Sequence, residues 1–193
     1  MTKSGRKGRR SGPSKIILLN KPFGVLCTFT DPDGRPTLAD FVSVPEVYAA
    51  GRLDKDSEGL LLLTNDGGIQ HRISHPQNKK EKGYWVQVEG IPDESALQKL
   101  RNGVQIKGGR TRPARVRCIS EPDIWEREPP IRHRANIPTT WLEIFLREGM
   151  NRQLRKMTAS VGYPTLRLVR FQVGDYNLGS LNPGQWELVE PAN

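Results

Sequence analysis

Cysteine is nearly absent from this 193-residue sequence. Cys27 and Cys118 are the two present, and so distant a pair makes neither a disulfide framework nor a zinc cluster. They read as reduced thiols of a cytoplasmic protein. Long apolar runs are lacking as well: stretches such as Ile16–Leu19 and Leu60–Leu63 fall far short of the roughly 20 residues that cross a bilayer. No membrane span is expected. No apolar stretch follows the basic start, so a secretory signal is not indicated either. Aromatic residues make up 7% of the chain and hydrophobic residues 35%, while Gly 19 and Pro 15 punctuate it. Such a composition argues against a long helical bundle and for many turns between short elements.

Acidic residues are missing where basic ones gather. The formal net charge is +9, and Lys3, Arg6, Lys7, Arg9, Arg10 and Lys15 open the chain with no acid among them. Arg147, Arg152, Arg155, Lys156, Arg167 and Arg170 face only Glu148 over residues 147–170, and residues 110–134 are also rich in arginine. Positive charge concentrated in this way suits a polyanion, most simply nucleic acid. The plainer alternative is a solubilising tail and a solvated basic face.

Residues 1–14 have nothing to bury and are expected to form a disordered basic tail. Beyond them, strands are expected at Lys15–Asn20, Val25–Thr30, Gly59–Thr64, Tyr84–Glu89, Val104–Lys107, Arg115–Ile119, Thr140–Leu146, Leu166–Val173 and Trp186–Val189. Lys21-Pro22-Phe23-Gly24 and Asp31-Pro32-Asp33-Gly34 read as turns. The continuous apolar run of Gly59–Thr64 reads as a strand buried on both faces. Helices are expected at Thr37–Val42, at Asp93–Arg101 with Asp93 as its cap, and at Met150–Val161. A long loop fills the proline-rich residues 120–138. Strands outnumber helices and tight turns join several of them, which favours an α+β fold with a mixed, mainly antiparallel sheet.

Three segments could carry chemistry. In Gly51-Arg52-Leu53-Asp54-Lys55-Asp56-Ser57-Glu58-Gly59, carboxylates cluster just ahead of a buried strand, so at least one stands at the edge of the core. A calcium loop fails, because its twelfth position would be Asn65 and leucines would fill the places before it. Two readings stay open: a solvated acidic turn, or one carboxylate nucleophile in a dry pocket with Arg52 beside it to anchor phosphate or position the loop. In the 150–161 helix, Met150, Leu154, Met157 and Val161 share one face, and Arg152, Arg155 and Lys156 lie opposite. That basic side is either merely solvated or an anion surface whose backbone amides, opened by Gly149-Met150-Asn151-Arg152, seat a phosphate. Tyr84, with Lys79, Lys80 and Lys82 just upstream, either stacks on a base or packs in the core, while Trp85 points the other way into the core. His71 and His75 lack an evident third ligand, so no metal is expected.

Together these segments resemble the ribosomal RNA pseudouridine synthases of the RsuA type. The resemblance rests on Asn20-Lys21-Pro22-Phe23-Gly24, on Gly51 to Asn65 as a block, on Tyr84, on Glu148-Gly149-Met150-Asn151-Arg152-Gln153-Leu154-Arg155-Lys156-Met157 and on Leu168-Val169-Arg170, and it spans residues 16–189. Met150-Asn151 departs from a more polar pair common in the family. The resemblance implies two subdomains sharing one sheet over residues 15–193, with a central RNA-binding cleft. It makes Asp54 the catalytic aspartate, Tyr84 the ring stacked on a flipped base, Arg155 the partner of Asp54, and Leu168 the support on the other side of the base. Arg52, Arg152, Lys156, Asn20 and Lys21 become substrate-binding candidates.

Family members of types A, B and F carry an extra N-terminal RNA-binding domain. With only residues 1–14 ahead of the core, and with the proline-rich loop ending Ile137-Pro138-Thr139-Thr140-Trp141-Leu142, the chain is similar to the type E branch of the family. That likeness implies a monomeric, cytoplasmic isomerase that acts on one uridine of 23S rRNA without metal or organic cofactor. The rival is a non-catalytic RNA-binding or ribosome-assembly protein; it accounts for the charge but not for Asp54, Arg155 and Tyr84 together.

Overall fold

The computed structural model describes residues 13–78, 80–132 and 134–191. In chain order it has β1 (Ile16–Lys21), β2 (Tyr48–Ala49), β3 (Glu58–Thr64), α1 (Gly67–Ser74), β4 (Lys82–Glu89), α2 (Glu94–Asn102), β5 (Gln105–Ile106), β6 (Gly109–Arg110), β7 (Arg115–Ile119), β8 (Thr139–Leu146), α3 (Gln153–Ser160), β9 (Thr165–Val173), β10 (Tyr176–Asn177) and β11 (Trp186–Val189). One sheet runs β11-β1-β3-β9-β4-β8-β7, with β2 on β3 and β10 on β9, and β5 and β6 form a separate hairpin. The β3–β9 contact is parallel and only two residue pairs long, Glu58 with Val169 and Gly59 with Arg170; the other described pairings are antiparallel. The fold is α+β with a mixed, mainly antiparallel sheet.

β3 is apolar throughout because both of its faces are covered. Leu60 and Leu62 pack with Ile69 and Ile73 of α1 and with Val169 and Val173 of β9. Leu61 and Leu63 face the other way, onto Leu38, Val42, Val47 and Leu53, as the two-residue side-chain period of a strand requires. A third cluster joins Val86 and Val88 of β4, Ile144 and Leu146 of β8, and Leu154 and Met157 of α3. Between these halves β3 and β9 approach closely at Gly59, whose φ is +97° and where a Cβ would lie 2.3 Å from the Arg170 carbonyl oxygen. Only glycine fits there.

Several expectations are corrected. Val25–Thr30 is not a strand: β1 already has β3 on one edge and β11 on the other, so the segment cannot fold back to pair with it. It is held instead by Leu26 N–H donating to the Pro36 carbonyl at 2.9 Å and Leu38 N–H to the Thr28 carbonyl at 2.8 Å. Lys21 extends β1 rather than opening the turn. The helix at 37–42 is a short 3-10 turn, Leu38–Asp40, and that at 150–161 narrows to α3, preceded by Arg152 in left-handed conformation at φ 50°, ψ 38°. The expected tail lies outside the described residues up to position 12. Its last two members are engaged: Ser14 Oγ donates to Asp66 at 2.6 Å and the Pro13 carbonyl accepts from Asn65 at 3.2 Å.

Candidate active site

The loop from Gly51 to Ser57 hangs between β2 and β3, and its backbone is fastened at successive residues. Arg170 Nη1 donates to the Arg52 carbonyl at 3.3 Å and its Nε to the Leu60 carbonyl at 2.8 Å. The Cys27 thiol lies 3.2 Å from the Leu53 carbonyl and accepts from the Leu53 N–H at 3.3 Å. Gly24 N–H donates to the Lys55 carbonyl at 2.8 Å, Ser57 N–H to the Asp54 carbonyl at 3.0 Å, and Arg155 Nη2 to the Asp56 carbonyl at 2.6 Å. Leu53 is buried in the core as an apolar anchor. A loop fixed at so many points presents its side chains in one geometry, as a preorganised site requires.

Two carboxylates of this loop have different fates. Both oxygens of Asp56 are taken by the Arg152 fork at 2.8 and 2.7 Å, and Arg155 Nε adds a third contact at 3.3 Å. The Arg152 hydrogen bonds hold the Asp56 carboxyl below its ordinary range, with the charges of Arg155 and Arg152 adding to them. Arg152 is pushed up by the same bonds. Arg155, largely desolvated under the loop, is pushed down. Asp54 has one longer contact, Oδ2 to Arg152 Nη1 at 3.7 Å, and its side chain is 36% exposed on a cavity of about 550 Å³. Asp54 is thus the carboxylate left open to an incoming molecule.

The expected Asp54–Arg155 partnership is therefore corrected. Arg155 rises from within α3 to the backbone and carboxylate of Asp56 and meets Asp54 only as a nearby charge. Arg152 reaches both aspartates because the left-handed turn ahead of α3 aims it across the cavity. A non-glycine residue in that conformation is uncommon, and such strain gathers at functional sites.

Arg52, Asp54, Tyr84, Arg152 and Leu168 line one cavity. Tyr84 is half-buried, packed against the β4–β8 core, and Leu168 is on β9, beside β4. Trp85 points to the opposite face, stacked on Phe171 at 4.6 Å. Lys156 does not itself line the cavity, but its Nζ lies 3.4 Å from Oδ1 of Asn151, which does. Asn20 and Lys21 are fully buried, which corrects their expected place at the substrate surface. Asn20 Nδ2 donates to the Leu181 carbonyl at 2.7 Å. Lys21 Nζ donates to the carbonyls of Pro22 at 2.8 Å and Val25 at 2.9 Å, and burial lowers its pKa to about 8. A β1 flanked by strands on both edges leaves its end in the interior.

Beneath the loop lies a buried ionic lock that the sequence reading did not find. Arg167 Nε and Nη2 donate to the two oxygens of Glu58 at 3.0 Å each, Arg167 Nη2 also donates to the Trp125 carbonyl at 2.9 Å, and the Trp125 indole donates to Glu58 at 2.8 Å. The lock ties the proline-rich loop to β3 and β9. Its signal was a charged residue at the start of an apolar strand and another inside β9. Many arginines of residues 110–134 are also neutralised, Arg115 by Glu81 and Arg117 by Glu143, both at 2.6 Å, so that stretch is less of a basic surface than its composition suggests. Among the described residues no cluster of His, Cys, Asp and Glu could hold a metal ion, and no helix is long and apolar enough to cross a membrane.

Residues 15–160, which include the fastened loop, Tyr84 and α3, match the family described as RNA pseudouridylate synthase. The chain belongs to that family. As a pseudouridine synthase it is an isomerase, and its cavity is the candidate active site. It is 59% identical over 176 residues to the ribosomal large subunit pseudouridine synthase E of Vibrio parahaemolyticus, covering 91% of this chain and 74% of the relative. It is 57% identical over 176 residues to the protein of the same name from Xanthomonas campestris pv. campestris, covering 90% and 94% respectively. A solved pseudouridylate synthase superposes with a TM-score of 0.78 at 28% identity, over 94% of this synthase and 72% of that chain.

Proposed function

We propose that this synthase converts one uridine of 23S rRNA to pseudouridine, with Asp54 as the catalytic aspartate. The observation that carries the reading is the unequal treatment of the two carboxylates: Asp56 is saturated by arginines while Asp54 lines the cavity that Tyr84 also lines. Relatives named for the large ribosomal subunit support the choice of RNA. With that substrate the protein works in the cytoplasm, as a monomer. The basic residues 1–14 add sequence-independent affinity.

The chemistry breaks the C1′–N1 bond, turns the uracil and rejoins it through C5. Extruding the base from folded RNA costs a few kcal/mol, and stacking on an aromatic ring returns about 1–3 kcal/mol. Tyr84 receives that stack and Leu168 closes the other side. The Asp54 carboxylate acts at the sugar, as a nucleophile on C1′ or as a base, while Arg152 holds the carboxylate pair in register and Arg52 meets the backbone. Treatment of protein-free 23S rRNA, followed by carbodiimide primer extension, tests this reading. A new stop with wild type and none with Asp54→Asn supports it; turnover by Asp54→Asn, with deamidation excluded by mass spectrometry, would refute it.

A further inference from the structure

Lys82 stands on the cavity side of β4, two residues before Tyr84, and lines the same cavity as Asp54 and Tyr84. Residues i and i+2 of a strand share a face and lie about 6.7 Å apart, comparable to the reach from a nucleobase to its own backbone phosphate. The neighbouring cations are engaged elsewhere: Arg147 with Glu81 at 3.1 Å and Lys80 with Asp175 at 3.7 Å. Among the described residues Lys82 has no carboxylate partner; its ammonium makes one long bond, 3.4 Å, to the Lys80 carbonyl. Burial, and secondarily the Arg170 charge, pull its pKa down. A half-buried cation without a counterion carries an uncompensated desolvation cost. An anion entering the cavity removes it.

We propose that Lys82 holds the backbone phosphate that flanks the uridine stacked on Tyr84, a proposal resting on the active site described above. The lining offers apolar surface at Leu168 and Leu146, which suits a base, and positive charge at Lys82, which pairs with Leu146 across the β4–β8 ladder. Phosphate is the RNA group whose charge matches a lone ammonium.

The test compares wild type, Lys82→Met, Lys82→Arg and, as a control removing the same charge from an exposed site on α2, Lys99→Met. The probe is an RNA fragment around the mapped uridine, with or without an uncharged methylphosphonate at the flanking phosphate. Lys82→Met should bind about tenfold more weakly, as for loss of one charge-assisted hydrogen bond, and the slope of log affinity against log salt should fall by about 0.7. Lys82→Arg should restore both, and Lys99→Met should change neither. The methylphosphonate should weaken wild type as the mutation does and cost Lys82→Met nothing further. An active wild type beside a Lys82→Met that binds like Lys99→Met overturns the phosphate contact alone. So does a Lys82→Met that binds normally but turns over slowly at saturation, which would place the charge on the base. A wild type that modifies no uridine of 23S rRNA overturns the substrate reading, and this contact with it.

Discussion

Glu58→Gln removes one charge from the driest ion pair among the described residues. The side chains of Glu58 and Arg167 are 2% and 8% exposed, so water cannot take the place of the lost partner. The guanidinium meets both carboxylate oxygens, and the Trp125 indole shares one of them. Breaking a buried pair by removing one partner costs about 3–5 kcal/mol, because an uncompensated charge stays inside. Glutamine keeps one acceptor oxygen, which places its cost near the lower end, about 3 kcal/mol. In a chain of this size each kcal/mol moves Tm by about 2–4 °C, so the expected drop is about 6–12 °C. Urea and thermal unfolding, followed by circular dichroism, read it directly. The companion Glu58→Leu, Arg167→Met double variant removes both charges and should recover most of the loss, since an apolar pair of similar volume is often neutral. A Tm drop below about 2 °C for Glu58→Gln, or a double variant no better than the single one, would show that the pair is not shielded as its burial indicates.

Gly59→Ala forces a Cβ toward the Arg170 carbonyl at a left-handed φ and should cost about 1–3 kcal/mol in the same unfolding assay, with reduced turnover because Arg170 fastens the Arg52 carbonyl. Lys21 has a folded pKa of about 8 against an ordinary 10.5, so between those values the unfolded chain holds the extra proton and stability rises with pH; urea midpoints of wild type relative to Lys21→Met should climb across that window, and a flat difference would show that Lys21 keeps its ordinary pKa in the fold. Asp56 is held below its ordinary range by Arg152, so its contribution is present at neutral pH and lost as pH falls through the lowered value; the stability deficit of Asp56→Asn should vanish in acid, and a deficit persisting there would be steric. Arg155→Met should slow turnover by releasing the Asp56 carbonyl and carboxylate, whereas Arg152→Met should slow it further, because Arg152 contacts both Asp56 and Asp54; an Arg152→Met enzyme as fast as wild type would contradict the geometry.

What could be read along the chain was what depends on neighbours in sequence. The apolar run before Asn65 announced a strand covered on both faces, since a strand with any solvated face alternates. Asp93 marked its helix start by accepting a first free N–H group, whereas the same role of Asp66 ahead of α1 emerged only in the structure. The motif around Asp54 and the family it resembles were legible because that loop is one contiguous piece, and Tyr84 and Trp85 were assigned to opposite faces by strand alternation alone. Tertiary structure decided everything that needed a distant partner. Whether 25–30 joined the sheet depended on β1 having a vacant edge, and β11 had taken it. The left-handed residue ahead of α3 gave Arg152 to both aspartates and sent Arg155 to Asp56, a choice of a few ångströms that no helical wheel contains. The same holds for Asn20 and Lys21, polar in composition and buried in fact, and for Glu58 and Arg167, which meet across 109 positions. Charge and hydrophobicity are properties of a residue, but burial and pairing are properties of the space around it, and that space exists only once distant strands meet, as β3 and β9 do at Gly59.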